Sequence, residues 1–180
     1  RLSLRTPQTE ALAILADICE VLPLSKNNNL EEETAKIREK YPIFKEFERD
    51  FPSVCFSLAT GVGKTRLMGA FISYLHAKYQ MTDFFVLAPN LTIYNKLIDD
   101  LSKPNNPKYV FKGISDFAVN PPLIITGENY REMTENQLFK ESIRINIFNI
   151  SKINAESRKG EEPKIKRLSE YLGQSYFEYL

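Results

Sequence analysis

Apolar residues recur at helical spacing near the start of the chain, at Leu12, Leu15, Ile18 and Leu22, which predicts a helix over residues 6–22. Thr6 is placed to cap it and Pro7 suits its first turn. "PLSKNNN" at 23–29 reads as a loop. "LEEETAKIREK" at 30–40 is polar almost throughout, with acid early and base late, the arrangement a helix dipole favours. Tyr41-Pro42 interrupts that helix, and "IFKEFERDF" predicts a second short one. The charged segment of about residues 24–52 is expected to be an insertion packed on the surface of a single domain spanning 1–180.

From residue 53 the pattern changes. "SVCFSL" (53–58) and "DFFVLAP" (83–89) are short continuous apolar runs and read as buried strands. Between them Leu67, Met68, Phe71, Ile72, Leu75 and Tyr79 mark one face of a helix over 64–79. A further helix follows over 92–101, with Ile93, Leu97, Ile98 and Leu101 expected to face inward. "YVFKG" (109–113), residues 123–126 and residues 143–150 predict three more strands. "AESRKGEEPKIKR" is polar, and "LSEYLGQSYFEYL" is expected to be a helix broken near Gly173. Alternating helices and strands, with several strands apolar on both faces, predict an α/β fold with a parallel sheet covered by helices.

Composition narrows the picture only a little. With 180 residues, 43% hydrophobic and 26% charged, the chain can bury a sizeable core without staples. A net charge of +1 supplies no global field for nucleic acid, so any such contact must be local. Cys19 and Cys55 sit among apolar neighbours and read as small buried hydrophobes, which favours a reducing cytoplasm over a disulfide framework. The single histidine, His76, reads as a helix-face residue. No apolar run approaches transmembrane length and no signal peptide is evident, so no membrane role is expected. A start at Arg1 rather than Met is what a trimmed piece would show.

The chemistry concentrates in "FSLATGVGKTRLMGAF" (56–71), a glycine turn between an apolar run and an amphipathic helix. Gly61 and Gly63 free the backbone amides around Thr60 and Val62 to face phosphate oxygens, and the new helix adds the positive end of its dipole. Lys64 can reach the outer phosphates of ATP, and the Thr65 hydroxyl can ligate Mg²⁺. The strict P-loop pattern, G-x-x-x-x-G-K-S/T, would need Gly where Leu58 stands, which disfavours a small-molecule kinase.

"ATGVGKT" instead resembles motif I of superfamily 2 helicases. "RTPQTEAL" (5–12) resembles the glutamine element upstream of that motif, which implies that Gln8 pairs with the donor and acceptor of an adenine edge. "VLAPNLTIYNKL" (86–97) resembles motif Ia, which implies nucleic-acid backbone contacts for Asn90, Thr92, Asn95 and Lys96. Asn90 and Thr92 are equally suited to capping the next helix. With "FFVLAPNLTI" and "INIFNISKIN", the chain is most similar to the Res subunit of type III restriction enzymes, over most of its length from Gln8 to Leu180. The resemblance implies a RecA-like P-loop domain, incomplete here, and ATP with Mg²⁺ as cofactor. It also implies double-stranded DNA and a methyltransferase (Mod) subunit as partners, in a restriction-modification system. Lys152, just beyond the last of these strands, is as readily a solvated loop lysine as a phosphate contact.

Hydrolysis needs a carboxylate for the metal and a group to position water. In the resembled family an Asp-Glu pair at a strand end supplies both, and no apolar run here ends in one. Glu128 follows Thr126-Gly127 and reads as a turn residue, and Glu161-Glu162 lies in a polar stretch. The arginine fingers and the second RecA-like domain are missing as well. The expectation is therefore the N-terminal part of a first motor domain that binds nucleotide and hydrolyses little. The competing expectation is a stand-alone, non-hydrolysing nucleotide-binding module with a degenerate motor fold.

Overall fold

A computed structural model describes residues 3–22, 29–47, 49, 51–129 and 142–149. Its contacts divide the chain into two compact units, one spanning Leu4–Phe71 and the other beginning at Ile72. The elements in order are helix α1 (Thr6–Val21), helix α2 (Leu30–Lys40), helix α3 (Lys64–Tyr79), strand β1 (Asp83–Ala88), helix α4 (Leu91–Ser102), the short helix α5 (Ser115–Val119), strand β2 (Leu123–Thr126) and strand β3 (Arg144–Asn149). The division falls inside α3.

In the first unit, α1 starts one residue earlier in its cap than the sequence suggests. Arg5 is the N-cap and Thr6 is already helical. The Arg5 N–H donates to Gln8 Oε1 at 2.8 Å, so the glutamine side chain satisfies the amide that precedes the helix. Asn29 caps α2, accepting from the Glu32 N–H. The charged α2 carries more core than its composition advertises. Ile37 is buried with Ile18 of α1 and Leu22 just past its end, and Val21, Tyr41, Phe44 and Phe47 pack around them. Among the described residues of 43–51 there is no second helix. Instead Phe44 and Phe47 meet edge to face at 5.2 Å, and Arg38 donates to the carbonyls of Phe44 and Lys45. Burial of two aromatic rings and capture of two carbonyls outweigh the weak helical pattern there.

An ionic link also ties α1 to α2. Lys40 Nζ lies 2.9 Å from Asp17 Oδ1, and the Tyr41 hydroxyl donates to Asp17 Oδ2 at 2.9 Å. The hydrogen bond from Lys40, then that from Tyr41, holds the Asp17 carboxyl below its ordinary range. The same bond raises Lys40, while burial followed by the Asp17 bond raises Tyr41. A depressed carboxylate stabilises the fold above its unfolded pKa, about 3.9, and that contribution fades as pH falls through the folded value. Raised Lys and Tyr groups contribute below their unfolded values and lose that contribution as pH rises through the folded ones. We expect Asp17→Asn to lower the thermal midpoint at neutral pH and to match the parent near pH 2. A parallel pair of midpoint-against-pH curves would show that the link contributes nothing.

The described residues of the second unit form a three-stranded parallel sheet in the order β1-β3-β2. β3 is central, with Ile145 opposite Phe84 on one side and Ile124 on the other. It is buried from Ile145 to Asn149, as an inner parallel strand should be. Asp83 and Arg144, opposite each other at the strand starts, form a 2.6 Å salt bridge. The amide of Asn146, itself buried, donates to the Phe84 carbonyl at 3.2 Å. α4 packs against all three strands through Tyr94, Leu97 and Leu101. Ile93, expected inside, is turned outward and Tyr94 takes its place. The helix begins at Leu91, one residue before the expected start, and its buried face runs through Tyr94, Leu97 and Leu101 at i, i+3, i+7 spacing.

Two predicted strands are absent. Residues 109–113 form turns, not a strand. Tyr109, Val110 and Phe111 are buried as a plug, with Val110 N–H on the Asp100 carbonyl and Phe111 stacked on Phe117 at 4.2 Å. A three-residue apolar run between turn bonds can fill a core without joining a ladder. Ser53–Leu58 likewise has no strand partner among the described residues. Cys55 within it is exposed, contrary to expectation, whereas Cys19 is buried and its thiol is pushed up by that burial. His76 behaves as a helix-face residue, with Nδ1 2.8 Å from the Met81 carbonyl and its ring edge-on to Phe117. No described helix is long and apolar enough to cross a membrane. The predicted C-terminal helix, Lys152 and Glu161-Glu162 lie outside the described residues.

Candidate functional site

The glycine turn of the first unit is built from its backbone. Gly61 has φ +84° and Gly63 φ +96°, left-handed values that side-chain-bearing residues rarely adopt. The Val62 N–H reaches the Ala59 carbonyl at 3.4 Å, and α3 then starts directly at Lys64. Thr60, Gly61 and Lys64 are exposed, while Val62, Gly63 and Thr65 are half-buried. Lys64 Nζ donates to the Ala59 carbonyl at 3.2 Å, a contact an exposed, flexible amine can exchange for a phosphate oxygen.

The turn is held from one side by the start of α1. Arg5 Nη1 donates to the Gly61 carbonyl at 3.0 Å. Gln8 Nε2 donates to the Val62 and Gly63 carbonyls at 3.0 and 2.9 Å. Gln8 is only 3% exposed. A Cβ added at Gly63 would lie 2.6 Å from Gln8 Nε2, whereas one added at Gly61 would meet nothing within 4 Å. Arg66, one turn into α3, has its guanidinium pKa lowered by burial. Turn amides, a helix N-terminus and a nearby lysine fit a polyphosphate. A metal ion would find the Thr65 hydroxyl here, and no group of three or more His, Cys, Asp or Glu side chains suited to a metal lies among the described residues.

The residues expected to touch nucleic acid lie in the second unit. Asn90 caps α4, its Oδ1 accepting from the Ile93 N–H at 2.9 Å. Thr92, Asn95 and Lys96 are exposed on α4. Asn95 and Lys96 line a groove of about 460 Å³ with Asp99, Asp100, Asn106, Pro107 and Lys108. The helix therefore brings Asn95 and Lys96 together, and it commits the Asn90 side chain to the helix end. Two carboxylates in the groove offset the lysines, and Asp99 is paired with Lys103 at 2.5 Å. Glu128 sits in the turn after β2, with its N–H on Thr126 Oγ1 at 3.3 Å.

Sequence reasoning missed two contributors. The Arg5 side chain meets its partner carbonyl 56 residues away, which no local pattern reveals. Tyr94, buried in α4, hydrogen-bonds the Thr126 side chain and so ties α4 to the end of β2. Burial raises its phenol pKa, the Thr126 bond opposing.

Comparison with known proteins returns no matching curated protein and no matching solved structure. A protein-family model described as type III restriction enzyme, res subunit, matches residues 1–179. With a parallel sheet flanked by helices and a glycine turn leading into α3 at Lys64, the chain belongs to the res-subunit family of type III restriction enzymes, whose domain is RecA-like.

Proposed function

We propose that this chain is the ATP-binding part of a DNA-dependent ATPase and translocase of a type III restriction endonuclease. Family membership supports a helicase-like ATPase motor. The observation that carries the nucleotide assignment is the turn itself: two glycines at positive φ, drawn onto α1 through their carbonyls, with Lys64 opening α3. Thr60, Gly61, Val62, Gly63 and Lys64 would surround the phosphates of ATP, with Gln8 behind them. Thr65 would share Mg²⁺ with the nucleotide's own oxygens. No Asp-Glu pair closes an apolar run in the sequence, so the chain by itself binds nucleotide and hydrolyses little. The full-length enzyme would couple hydrolysis to movement along double-stranded DNA, in company with a methyltransferase (Mod) subunit. Thr92, Asn95, Lys96 and the Asn90 end of α4 would meet the DNA backbone. Residues 1–180 would form one RecA-like fragment with the charged segment of about 24–52 as an insertion. Two free cysteines suit a cytoplasmic setting.

Calorimetric titration with Mg-ATP tests the central claim. The parent chain is expected to bind, and Lys64→Ala to bind roughly tenfold to a hundredfold more weakly, the range for a lost hydrogen bond to a charged group. Equal affinities would remove Lys64 from the site. DNA should add a salt-sensitive signal through Lys96. Its absence at low ionic strength would confine α4 to structural duty.

A further inference from the structure

We infer that Lys108 is a further contact for the phosphates of duplex DNA, held in place by Asn106, so that the DNA-facing surface runs on from Lys96 into the loop after α4. This rests on the DNA reading of α4 given above and extends it to residues outside the helix. Asn95, Lys96, Asp99 and Asp100 of α4 line a groove of about 460 Å³ together with Asn106, Pro107 and Lys108. The two carboxylates balance the two lysines in number but not in access. Asp99 is paired with Lys103 at 2.5 Å. Asp100 is only 4% exposed, and its Oδ1 accepts from the Asn106 carboxamide at 3.4 Å. Lys96 and Lys108 are exposed, and neither ammonium has an ion-pair or hydrogen-bond partner among the described residues. The exposed carboxamide of Asn95 has none there either. What the groove offers outward is two cations and a neutral donor, a set that takes phosphate oxygens.

The loop that carries Lys108 is ordered by its own bonds. Pro104 and Pro107 each lock a backbone angle. The Asn106 N–H donates to the Lys103 carbonyl at 2.9 Å, and the Tyr109 N–H donates to the Asn106 carbonyl at 2.9 Å. The Asn106 side chain accepts from the Lys108 N–H at 2.9 Å. It also donates to the Asp99 carbonyl and to the Asp100 carboxylate, each at 3.4 Å. On the far side of Lys108, Tyr109 is buried and the Val110 N–H is bonded to the Asp100 carbonyl. The backbone of Lys108 is thus pinned from both directions, while its side chain stays outside. A base presented in this way forfeits less entropy on meeting a phosphate than one on a slack loop.

The test is titration of a short fluorescent DNA duplex with the 180-residue chain over a series of salt concentrations. Parent, Lys96→Gln, Lys108→Gln, Asn106→Ala and the Asn106→Ala/Lys108→Gln double variant are compared, with the thermal midpoint of each recorded. Lys36→Gln, at an exposed position of α2, is the control. We expect Lys108→Gln to weaken binding about threefold to tenfold at low salt and to lower the slope of log affinity against log salt by about 1, as Lys96→Gln does. Lys36→Gln should change neither. Asn106→Ala should weaken binding about threefold in the parent and not at all in the Lys108→Gln background, the mark of a residue that acts through Lys108. Parental affinity and slope in Lys108→Gln, with Lys96→Gln impaired, would overturn the inference. An equal loss from Lys36→Gln would also overturn it, by reducing the effect to net charge. An Asn106→Ala loss of the same size in both backgrounds would overturn the positioning role of Asn106. A parent chain that binds no duplex even at low salt would instead bring down the DNA reading itself, a result separable from the others.

Discussion

Gly63→Ala is expected to abolish nucleotide binding and to destabilise the first unit, whereas Gly61→Ala should be much milder. Both glycines have positive φ, and a Cβ there costs roughly 1–2 kcal/mol in backbone energy. At Gly61 that is the whole effect, because the new methyl would enter open space. At Gly63 the methyl would press on Gln8 Nε2 from 2.6 Å. The amide must leave, and its two bonds to the turn go with it. The Gly63 carbonyl keeps the Leu67 N–H, so the Val62 carbonyl alone loses its partner. A group left unpaired adds about 1–3 kcal/mol, so the total is roughly 2–5 kcal/mol, about thirtyfold or more in affinity if it falls on the bound conformation. The clash can be separated from the backbone strain. Gly63→Ala combined with Gln8→Ala should regain part of the thermal midpoint lost by Gly63→Ala alone, with nucleotide binding still absent. Equal midpoints for the two single glycine variants would show that Gln8 yields without cost.

The second large effect belongs to the sheet. Ile145 is fully buried in β3, between Phe84 and Ile124 on the flanking strands. Truncating it removes apolar contact on the central strand and leaves a cavity that neighbouring strands cannot collapse into without breaking ladder bonds. The expected cost of Ile145→Ala is about 2–5 kcal/mol, a large share of the stability of an ordinary domain. Leu87→Ala on β1 is the control, since Leu87 is 45% exposed and should cost under about 1 kcal/mol. Urea midpoints for the two variants measure the difference. Comparable shifts would mean that β3 is not the centre of the core.

The elements that carry their own punctuation were legible from sequence. α2 and α3 have the bounds that charge pattern and glycine turn suggest, because a cap residue and a Lys-Thr start are local signals. β2 and β3 were legible as apolar runs of strand length. The two failed strands have one cause. "SVCFSL" and "YVF" are as apolar as true strands, but a strand is defined by a partner, and the partner is not in the run. Ile93 and Tyr94 both fit the helical spacing of Leu97 and Leu101, and which of them faces the sheet is decided by packing, which the pattern does not carry. The five-residue α5 is too short to show a period. At the phosphate turn, glycine spacing announced the turn but not the hand that holds it. Gln8 was visible as chemistry, and its partners were not, since they lie more than fifty residues away.

Asn146 has a meaning that stability alone does not capture. A run such as "INIFNI" is nearly uniform in apolar character, and uniform strands pair almost as well one or two places out of step. The Asn146 amide reaches the Phe84 carbonyl in the observed register, and Asp83 meets Arg144 at the strand start in that register too. A shift of one residue would bury an amide with no acceptor and part the two charges. The polar residues thus tell the right pairing from its near neighbours, leaving the chain less room for error as it folds.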